Sequence, residues 1–273
     1  MKAIATLLVC LLPVAGFAQE RCAHSQPQQL VLDTAGAKRV MFDIGPHRLR
    51  LQGSSGGDHR IAGRACASSE GDLARMSVTQ ELRGDTLHVK LQREDRRGLS
   101  LGDRYAYLTL EGTVPEDVLV QLRVGSGDAW LDGAASASAD VGSGDVDVRG
   151  IRGLLTAKVG SGDAALHDVG ALNVLSLGSG DIEASQVRGD AEVGSIGSGD
   201  FSLRGAAGNV DIGSIGSGDA TLEDVTGNVV VGSIGSGDLD VRNVRGTLTV
   251  RSKGSGDVDH RDVAGAIDIP RKR

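Results

Sequence analysis

The chain has 273 residues, of which 41 are glycine, 5 are proline and only 2% are aromatic, and its formal net charge at pH 7 is -7. Because proline is scarce and the apolar content is ordinary, the composition excludes collagen and a disordered tract, and it favours a core of small and β-branched side chains. The negative charge argues against nucleic acid and anionic membrane surfaces as partners.

Residues 1–18 combine Lys2, an apolar run, and the small residues Gly16 and Ala18 near its end. This order is typical of a secretory signal peptide, with a retained membrane anchor as the alternative. No later apolar stretch approaches ~20 residues, so no transmembrane span is expected in the mature chain. The protein is therefore predicted to be secreted across the inner membrane, with a periplasmic or cell-surface location.

Two cysteines, Cys22 and Cys66, follow the signal peptide. In an oxidising compartment two remaining cysteines most simply form a disulfide, worth on the order of 4 kcal/mol in the chain-entropy description. Two free thiols are the alternative. A lipid anchor at Cys10 is not expected, because the residues before it are not the small ones that lipoprotein processing needs.

Residues 19–124 contain segments of alternating polarity such as "RVMFDI", "TLHVKLQ" and "VLVQLRV", separated by glycine or charged turns. Alternation of this kind predicts strands, and no segment has the pattern of a long amphipathic helix. We expect an irregular β-rich region that caps the structure following it, with a solvated loop at Glu94–Arg104.

From residue 125 to residue 273 the chain is organised by a repeat. The tetrapeptide GSGD occurs eight times at intervals of 17 to 19 residues, and a fixed period in this range predicts a solenoid. The copies begin at Gly125, Gly142, Gly160, Gly178, Gly197, Gly216, Gly235 and Gly254.

Within each repeat, apolar residues recur one, three and six positions after the aspartate, and in the longest repeats again at ten, twelve and fifteen. This pattern predicts two short strands and two corners per coil, where a coil is one turn of the solenoid. The fold class is thus an all-β parallel β-helix of about eight coils. The corner glycines are expected to supply positive φ angles and space for tight stacking.

Lys253 and His260 replace apolar residues in the last coil, and a basic C-terminal end follows, which favours a polar cap there.

The stretch "YLTLEGTVPEDVLVQLRVGSGD" resembles the start of the repeat region in the bacterial putative-adhesin family of β-strand-repeat proteins, a group of unknown function. The resemblance extends from about Gln29 to the C-terminus, and the GSGD corners are its specific part. It implies a parallel β-helix and a location in the cell envelope, and it implies no catalytic residues.

One aspartate per coil forms a predicted row, the Asp ladder, in which like charges ~5 Å apart repel each other. Two explanations are open: the carboxylates accept backbone hydrogen bonds and are balanced by nearby arginines, or they bind Ca²⁺ between coils. Calcium is accordingly the one cofactor considered. The ladder comprises Asp128, Asp145, Asp163, Asp181, Asp200, Asp219, Asp238 and Asp257.

Aromatic side chains in the repeats are limited to Phe201, at an inward position, and Trp130, at an outward position in the first coil. Trp130 is the one candidate contact residue, with cover by the N-terminal region as the alternative. A polysaccharide-active β-helix enzyme is a further alternative, but the even spacing of the carboxylates favours architecture over catalysis. We therefore predict a non-enzymatic envelope scaffold or adhesin-like binding module, whose partner is an unidentified envelope protein or glycan.

Overall fold

A computed structural model describes residues 22–94 and 104–270. The predicted signal peptide, most of the predicted loop at Glu94–Arg104 and residues 271–273 lie outside the described residues. The described part contains one short helix, α1 (Glu70–Leu73), which Ser69 caps by accepting the Asp72 N–H.

The remaining elements of the described ranges are strands. They are β1 (His24–Val31), β2 (Arg39–Gly45), β3 (Arg48–Ser54), β4 (Arg60–Ala67), β5 (Met76–Arg83), β6 (Thr86–Arg93), β7 (Ala106–Pro115), β8 (Leu119–Val124), β9 (Asp128–Ala134), β10 (Ser136–Val141), β11 (Asp145–Val159), β12 (Ala164–Leu177), β13 (Ile182–Val187), β14 (Ala191–Ile196), β15 (Phe201–Ala206), β16 (Val210–Ile215), β17 (Ala220–Val225), β18 (Val229–Ile234), β19 (Leu239–Val244), β20 (Leu248–Val250), β21 (Val258–Val263) and β22 (Ile267–Asp268).

In the repeat region the strands pair in parallel with the equivalent strand of the next coil, which confirms the predicted β-solenoid. One stack runs through β9, the first part of β11, the first part of β12, β13, β15, β17, β19 and β21. The other stack runs through β8, β10, the rest of β11 and β12, β14, β16, β18, β20 and β22. Each coil therefore contributes one strand to each stack.

The N-terminal region adds two coils that the repeat pattern did not predict. Strand β2 pairs in parallel with both β6 and β8, and β3 pairs in parallel with both β7 and β9. The coil formed by β2 and β3 thus lies between the coil of β6 and β7 and the coil of β8 and β9. The spatial order of the coils differs from their order in the chain at this point.

Antiparallel strands close this end of the solenoid. Strand β4 pairs with β7 and with β1, while β5 pairs with β6. The Gln80 side chain joins the two outermost strands by donating to the Val31 carbonyl and accepting the Asp33 N–H. The predicted disulfide between Cys22 and Cys66 is confirmed, with 5.2 Å between the Cα atoms, and it fixes the start of β1 to β4.

The core is a narrow file of inward side chains between the two stacks. Phe201, at the predicted inward position, is 1% exposed, and its neighbours in the stack, Ile182 and Ala220, are buried as well. Burial fades in the last coil, where His260 is exposed and the residues of β21 are exposed or half-buried. The Lys253 ammonium contacts the Gly256 carbonyl and lies 3.6 Å from the Asp257 carboxylate.

The corner glycines are needed for close approach, and the expectation that they adopt positive φ was wrong. None of the GSGD glycines has a positive φ, but a Cβ on the second glycine of each copy would lie 1.7 to 1.9 Å from a backbone oxygen of the preceding coil. The left-handed residues come five positions after each ladder aspartate, with φ from 52° to 81°. They are Gly133, Gly150, Asp168, Gln186, Gly205, Asp224, Asn243 and Asp262.

This second glycine-rich position was visible in the sequence, because glycine, aspartate and asparagine dominate it, and these residues tolerate left-handed backbone better than others do. The backbone turns at this position, one residue before the buried residue that ends the strand of the first stack. The turn directs the chain across to the second stack.

Candidate functional site

The Asp ladder is a chain of hydrogen bonds from coil to coil. Each Oδ1 atom from Asp145 to Asp238 accepts the backbone N–H of the next ladder aspartate, over distances of 2.7 to 3.3 Å. A charged acceptor strengthens such a bond, so the N–H donors offset part of the repulsion between the carboxylates. The offset comes from the backbone of the next coil.

Cations stand at both ends of the ladder. In the coil of β2 and β3, Arg48 occupies the register position of a ladder aspartate, and its Nε atom lies 3.0 Å from the Asp128 carboxylate. At the other end Lys253 lies near Asp257. Four arginines were expected to balance the ladder: Arg149, Arg204, Arg242 and Arg261. The first three contact other carboxylates instead, since Arg149 binds Asp147, Arg204 binds Glu223 and Arg242 binds Asp240.

A second ladder at the opposite corner makes the same bond with mostly neutral side chains. The Asn209 N–H donates to Asp190, the Asn228 N–H donates to Asn209, and the Thr247 N–H donates to Asn228. The distances, 2.7 to 3.0 Å, match those of the Asp ladder. An amide oxygen is therefore sufficient for the structural task of a ladder residue.

This equivalence leads to a prediction for Asp219. Replacement by asparagine keeps the acceptor for the Asp238 N–H and removes one repelling charge, so we expect a change in the free energy of unfolding within about 0.5 kcal/mol. Replacement by leucine removes the acceptor and should destabilise the protein by about 1 kcal/mol. Urea unfolding of the two variants beside the native protein checks this. Equal losses in both would mean that the charge itself is needed.

The calcium alternative concerns the same row. In the described ranges no group of three His, Cys, Asp or Glu side chains is arranged to hold a metal ion. We predict that the thermal midpoint, followed by circular dichroism, is the same in EDTA and in millimolar Ca²⁺, because one oxygen of most ladder carboxylates already accepts a hydrogen bond. A clear rise with Ca²⁺ would assign the ladder to metal binding, since a ligand that binds only the folded state raises its stability.

The outward face of the first stack carries a groove, the Trp130 groove, where the N-terminal coils meet the repeats. Its volume is about 820 Å³. Trp130 is half-buried and has two neighbours in register, Arg50 on β3 and Asp147 on β11. The Arg50 guanidinium carbon lies 5.0 Å from the centre of the Trp130 ring, at cation–π distance. The groove is lined by Arg50, Gln52, Asp58, Arg60, Glu111, Thr113, Trp130, Asp132, Asp147 and Arg149, with parts of neighbouring apolar residues.

A second cavity of about 540 Å³, the arginine hollow, adjoins the groove and shares Trp130, Arg50 and Glu111 with it. Arg48, Arg64 and Thr109 complete its polar lining. The register places Arg64, Thr109 and Arg48 side by side on β4, β7 and β3. The sequence could not reveal this cluster, because β4 reaches the site only through an antiparallel pairing that has no repeat signal.

His47 is another residue that the repeat pattern missed. It occupies the corner between β2 and β3, is fully buried, and accepts the Leu108 N–H at its Nδ1 atom over 3.2 Å. Burial, with a smaller contribution from the charge of Arg93, lowers the pKa of His47 from 6.5 to about 4. The imidazole is therefore neutral in the folded protein at pH 7, as its acceptor role requires.

This lowered pKa predicts acid sensitivity. The unfolded histidine takes up a proton near pH 6.5 and the folded one only near pH 4, so the contribution of His47 is complete above pH 6.5 and is lost as the pH falls from there towards 4. Between pH 7.5 and 5 we expect a loss of about 2 kcal/mol in the free energy of unfolding. Urea unfolding at the two pH values measures it.

The His47→Asn variant keeps an acceptor oxygen without titrating, and the pH difference should shrink by that amount. A core variant such as Val89→Ala, destabilised but still carrying His47, should retain the native pH difference. An unchanged difference in His47→Asn would contradict the assignment.

The family described as "Putative auto-transporter adhesin, head GIN domain" matches residues 67–261, which is more than half of the chain. The chain belongs to this family. The resemblance seen in the GSGD corners is thereby confirmed. No curated protein matches the sequence.

The fold of this adhesin head family member is shared by a solved structure of low sequence identity. A "putative lipid binding protein" from Parabacteroides distasonis has a TM-score of 0.54 and 16% identity over 88% of this chain and 97% of its own. A "putative adhesin" from Parabacteroides merdae has a TM-score of 0.45 and 16% identity over 91% of this chain and 97% of its own. A "putative adhesin" from Bacteroides fragilis has a TM-score of 0.41 and 15% identity over 90% of this chain and 98% of its own.

No helix within the described ranges is long and apolar enough to cross a membrane.

Proposed function

We propose that the protein is a non-enzymatic, adhesin-like binding module of the cell envelope, and that it holds its ligand in the Trp130 groove. The observation that carries the proposal is the groove itself: a tryptophan on an outward face that is otherwise built from small and charged side chains, with Arg50 over its ring. Aromatic and arginine side chains in a concave site are the residue types that most often anchor a partner. The family's adhesin description supports a binding role.

The location of the groove also fits a binding role. The groove lies next to the coils that the antiparallel strands and the Cys22–Cys66 disulfide hold together. Its walls therefore belong to the cross-linked end of the solenoid. A ligand that binds a preformed wall loses less free energy to ordering than one that binds a flexible loop. The repeats beyond the groove then serve as a regular stalk.

A binding assay with matched variants tests this proposal. The labelled protein is screened on arrays of envelope glycans and against purified envelope proteins, and Trp130→Ala should abolish the main signal. Thr221→Ala is the matched control, because Thr221 occupies the same position after its ladder aspartate five coils further along. Equal binding by all three proteins would place the binding site outside the groove and overturn the proposal.

The alternative, a polysaccharide-active enzyme, is tested with the same ligands. The groove holds carboxylates, but both oxygens of Asp147 already accept hydrogen bonds from the Arg149 guanidinium, over 2.8 and 2.7 Å. Cleavage of a glycosidic bond needs a second carboxyl group that can donate a proton. We expect no new reducing or unsaturated ends after prolonged incubation with any bound glycan. Their appearance, lost in Asp147→Asn, would establish an enzyme.

A further inference from the structure

We propose that the ligand of the Trp130 groove is an acidic glycan, and that the arginine hollow binds the carboxylate of one of its uronic acid residues. This rests on the proposed function, since it names the chemical class of what the groove binds. The structure offers one site for the acidic group and another, beside it, for the sugar ring.

The acidic group is indicated by the row of Arg64, Thr109 and Arg48. Adjacent strands are ~4.8 Å apart, so the two arginines flank the short Thr109 side chain across a gap of ~10 Å between their backbones. The Thr109 Oγ1 atom is buried and has no hydrogen-bond partner among the described residues. Arg64 is exposed and forms no ion pair within the described part of the chain. The Arg64 guanidinium, with the Thr109 hydroxyl beside it, provides the paired donors that a carboxylate requires.

The charge balance of the hollow agrees with this assignment. Arg48, Arg50 and Arg64 line it, and Glu111 is its single acidic lining residue. One of the arginines, Arg48, is already paired with Asp128. The hollow therefore retains positive charge on a protein whose net charge is -7. A single acidic group fits this local excess, whereas a polyphosphate chain would also meet the carboxylates Asp132 and Asp147 of the groove.

The position of the sugar ring is indicated by Trp130 and the polar side chains around it. Trp130 is on the next outward row, two residues or ~7 Å from the row of Arg48. Gln52, Asp132 and Glu111 surround it with groups that can bond to hydroxyls. A lipid chain would need a longer apolar channel, and the groove alternates polar side chains instead. A flat aromatic ring beside hydrogen-bonding groups, with an acidic-group site at ~7 Å, fits a uronic acid residue and its neighbour.

The test uses a galactose trisaccharide in which one residue is galacturonic acid, and its carboxyl-reduced neutral counterpart, which keeps the rings and removes the single charge. Isothermal titration is performed with the native protein, Trp130→Ala, Arg64→Ala and Arg123→Ala. Arg123 is an exposed arginine on β8, in the other stack, so its variant removes the same charge away from the site. Circular dichroism verifies that each variant is folded.

We expect the acidic trisaccharide to bind at least about tenfold more tightly than the neutral one. Arg64→Ala should remove that difference, Trp130→Ala should weaken both sugars, and Arg123→Ala should change neither. Equal binding of the two sugars, with Arg64→Ala silent, overturns the inference and leaves the proposed function standing. Tighter binding of a sulfated galactan than of the uronate also overturns it, by assigning the hollow to sulfate. Failure of all these sugars to bind overturns it too, and the array assay above then decides separately on the groove.

Discussion

Replacing Gly218 by alanine should destabilise the protein by about 3 kcal/mol, a large effect for a single added methyl group. The added Cβ would lie 1.9 Å from the Gly199 carbonyl oxygen and 2.8 Å from its carbon. Both atoms are backbone, so neither can rotate away as a side chain could. Relief requires the two coils to move apart, and their strands are held at ladder hydrogen-bonding distance.

The effect is measured by urea unfolding, with Ser217→Ala as control. Ser217 is the exposed residue between the two glycines of the same corner, so its variant changes the side chain without touching the stacking contact. We expect Ser217→Ala to remain within about 0.5 kcal/mol of the native protein. A Gly218→Ala variant of equally native stability would mean that the corners do not stack as closely as described.

Removing the disulfide is the second large effect. Cys22 and Cys66 are 44 residues apart, and for a loop of this length the chain-entropy description gives a stabilisation of about 4 kcal/mol. Strand β1 is held to β4 by pairing along its whole length, but β1 is an outermost strand of its stack. Without the disulfide, β1 should detach before the repeats unfold, and the unfolding transition should broaden or divide in two.

The double variant Cys22→Ala, Cys66→Ala tests this by urea unfolding, followed by hydrogen exchange of the β1 amides. The native protein treated with reductant should behave as the double variant does, and reductant should have no effect on the variant itself. An unchanged midpoint and unchanged protection of β1 would show that strand pairing alone holds this end.

The two variants affect different parts of the solenoid: Gly218 lies at a corner within the repeats, and the disulfide lies at the N-terminal end. The solenoid has a closed end, where antiparallel strands and a disulfide surround the first coils, and an end at β21 and β22 where burial fades. The proposed ligand site lies at the closed end. Variants that loosen β1 or β4 should therefore weaken binding as well as stability, because Arg64 is on β4.

The sequence by itself determined the solenoid. Eight GSGD corners fixed the period, the apolar positions after each aspartate fixed the two strands, and Phe201 was assigned correctly to the core. A repeated coil can be read in this way because every coil meets the same neighbours, so one local pattern specifies one environment. The disulfide followed from the count of cysteines for a comparable reason, since only one pairing was available.

The role of the corner residues needed the structure. The sequence indicated glycine but not which of its two properties was used, and the spacing between coils shows that close approach is the reason in GSGD while positive φ belongs to the turn at Gly205 and its equivalents. The balance of the Asp ladder was likewise hidden. Its donors are backbone N–H groups of the next coil, and a backbone group leaves no trace in the sequence.

The candidate site was decided by tertiary structure alone. Trp130 could be singled out as an outward aromatic residue, but Arg50, Arg64 and Thr109 reach it from strands that the repeat does not mark. The coil of β2 and β3 inserts between later strands, and β4 folds back in antiparallel pairing. Such pairings join residues far apart in the chain through hydrogen bonds that any sequence can form. Local periodicity therefore cannot specify these pairings. They are specified by the burial of the whole N-terminal region against the first repeat.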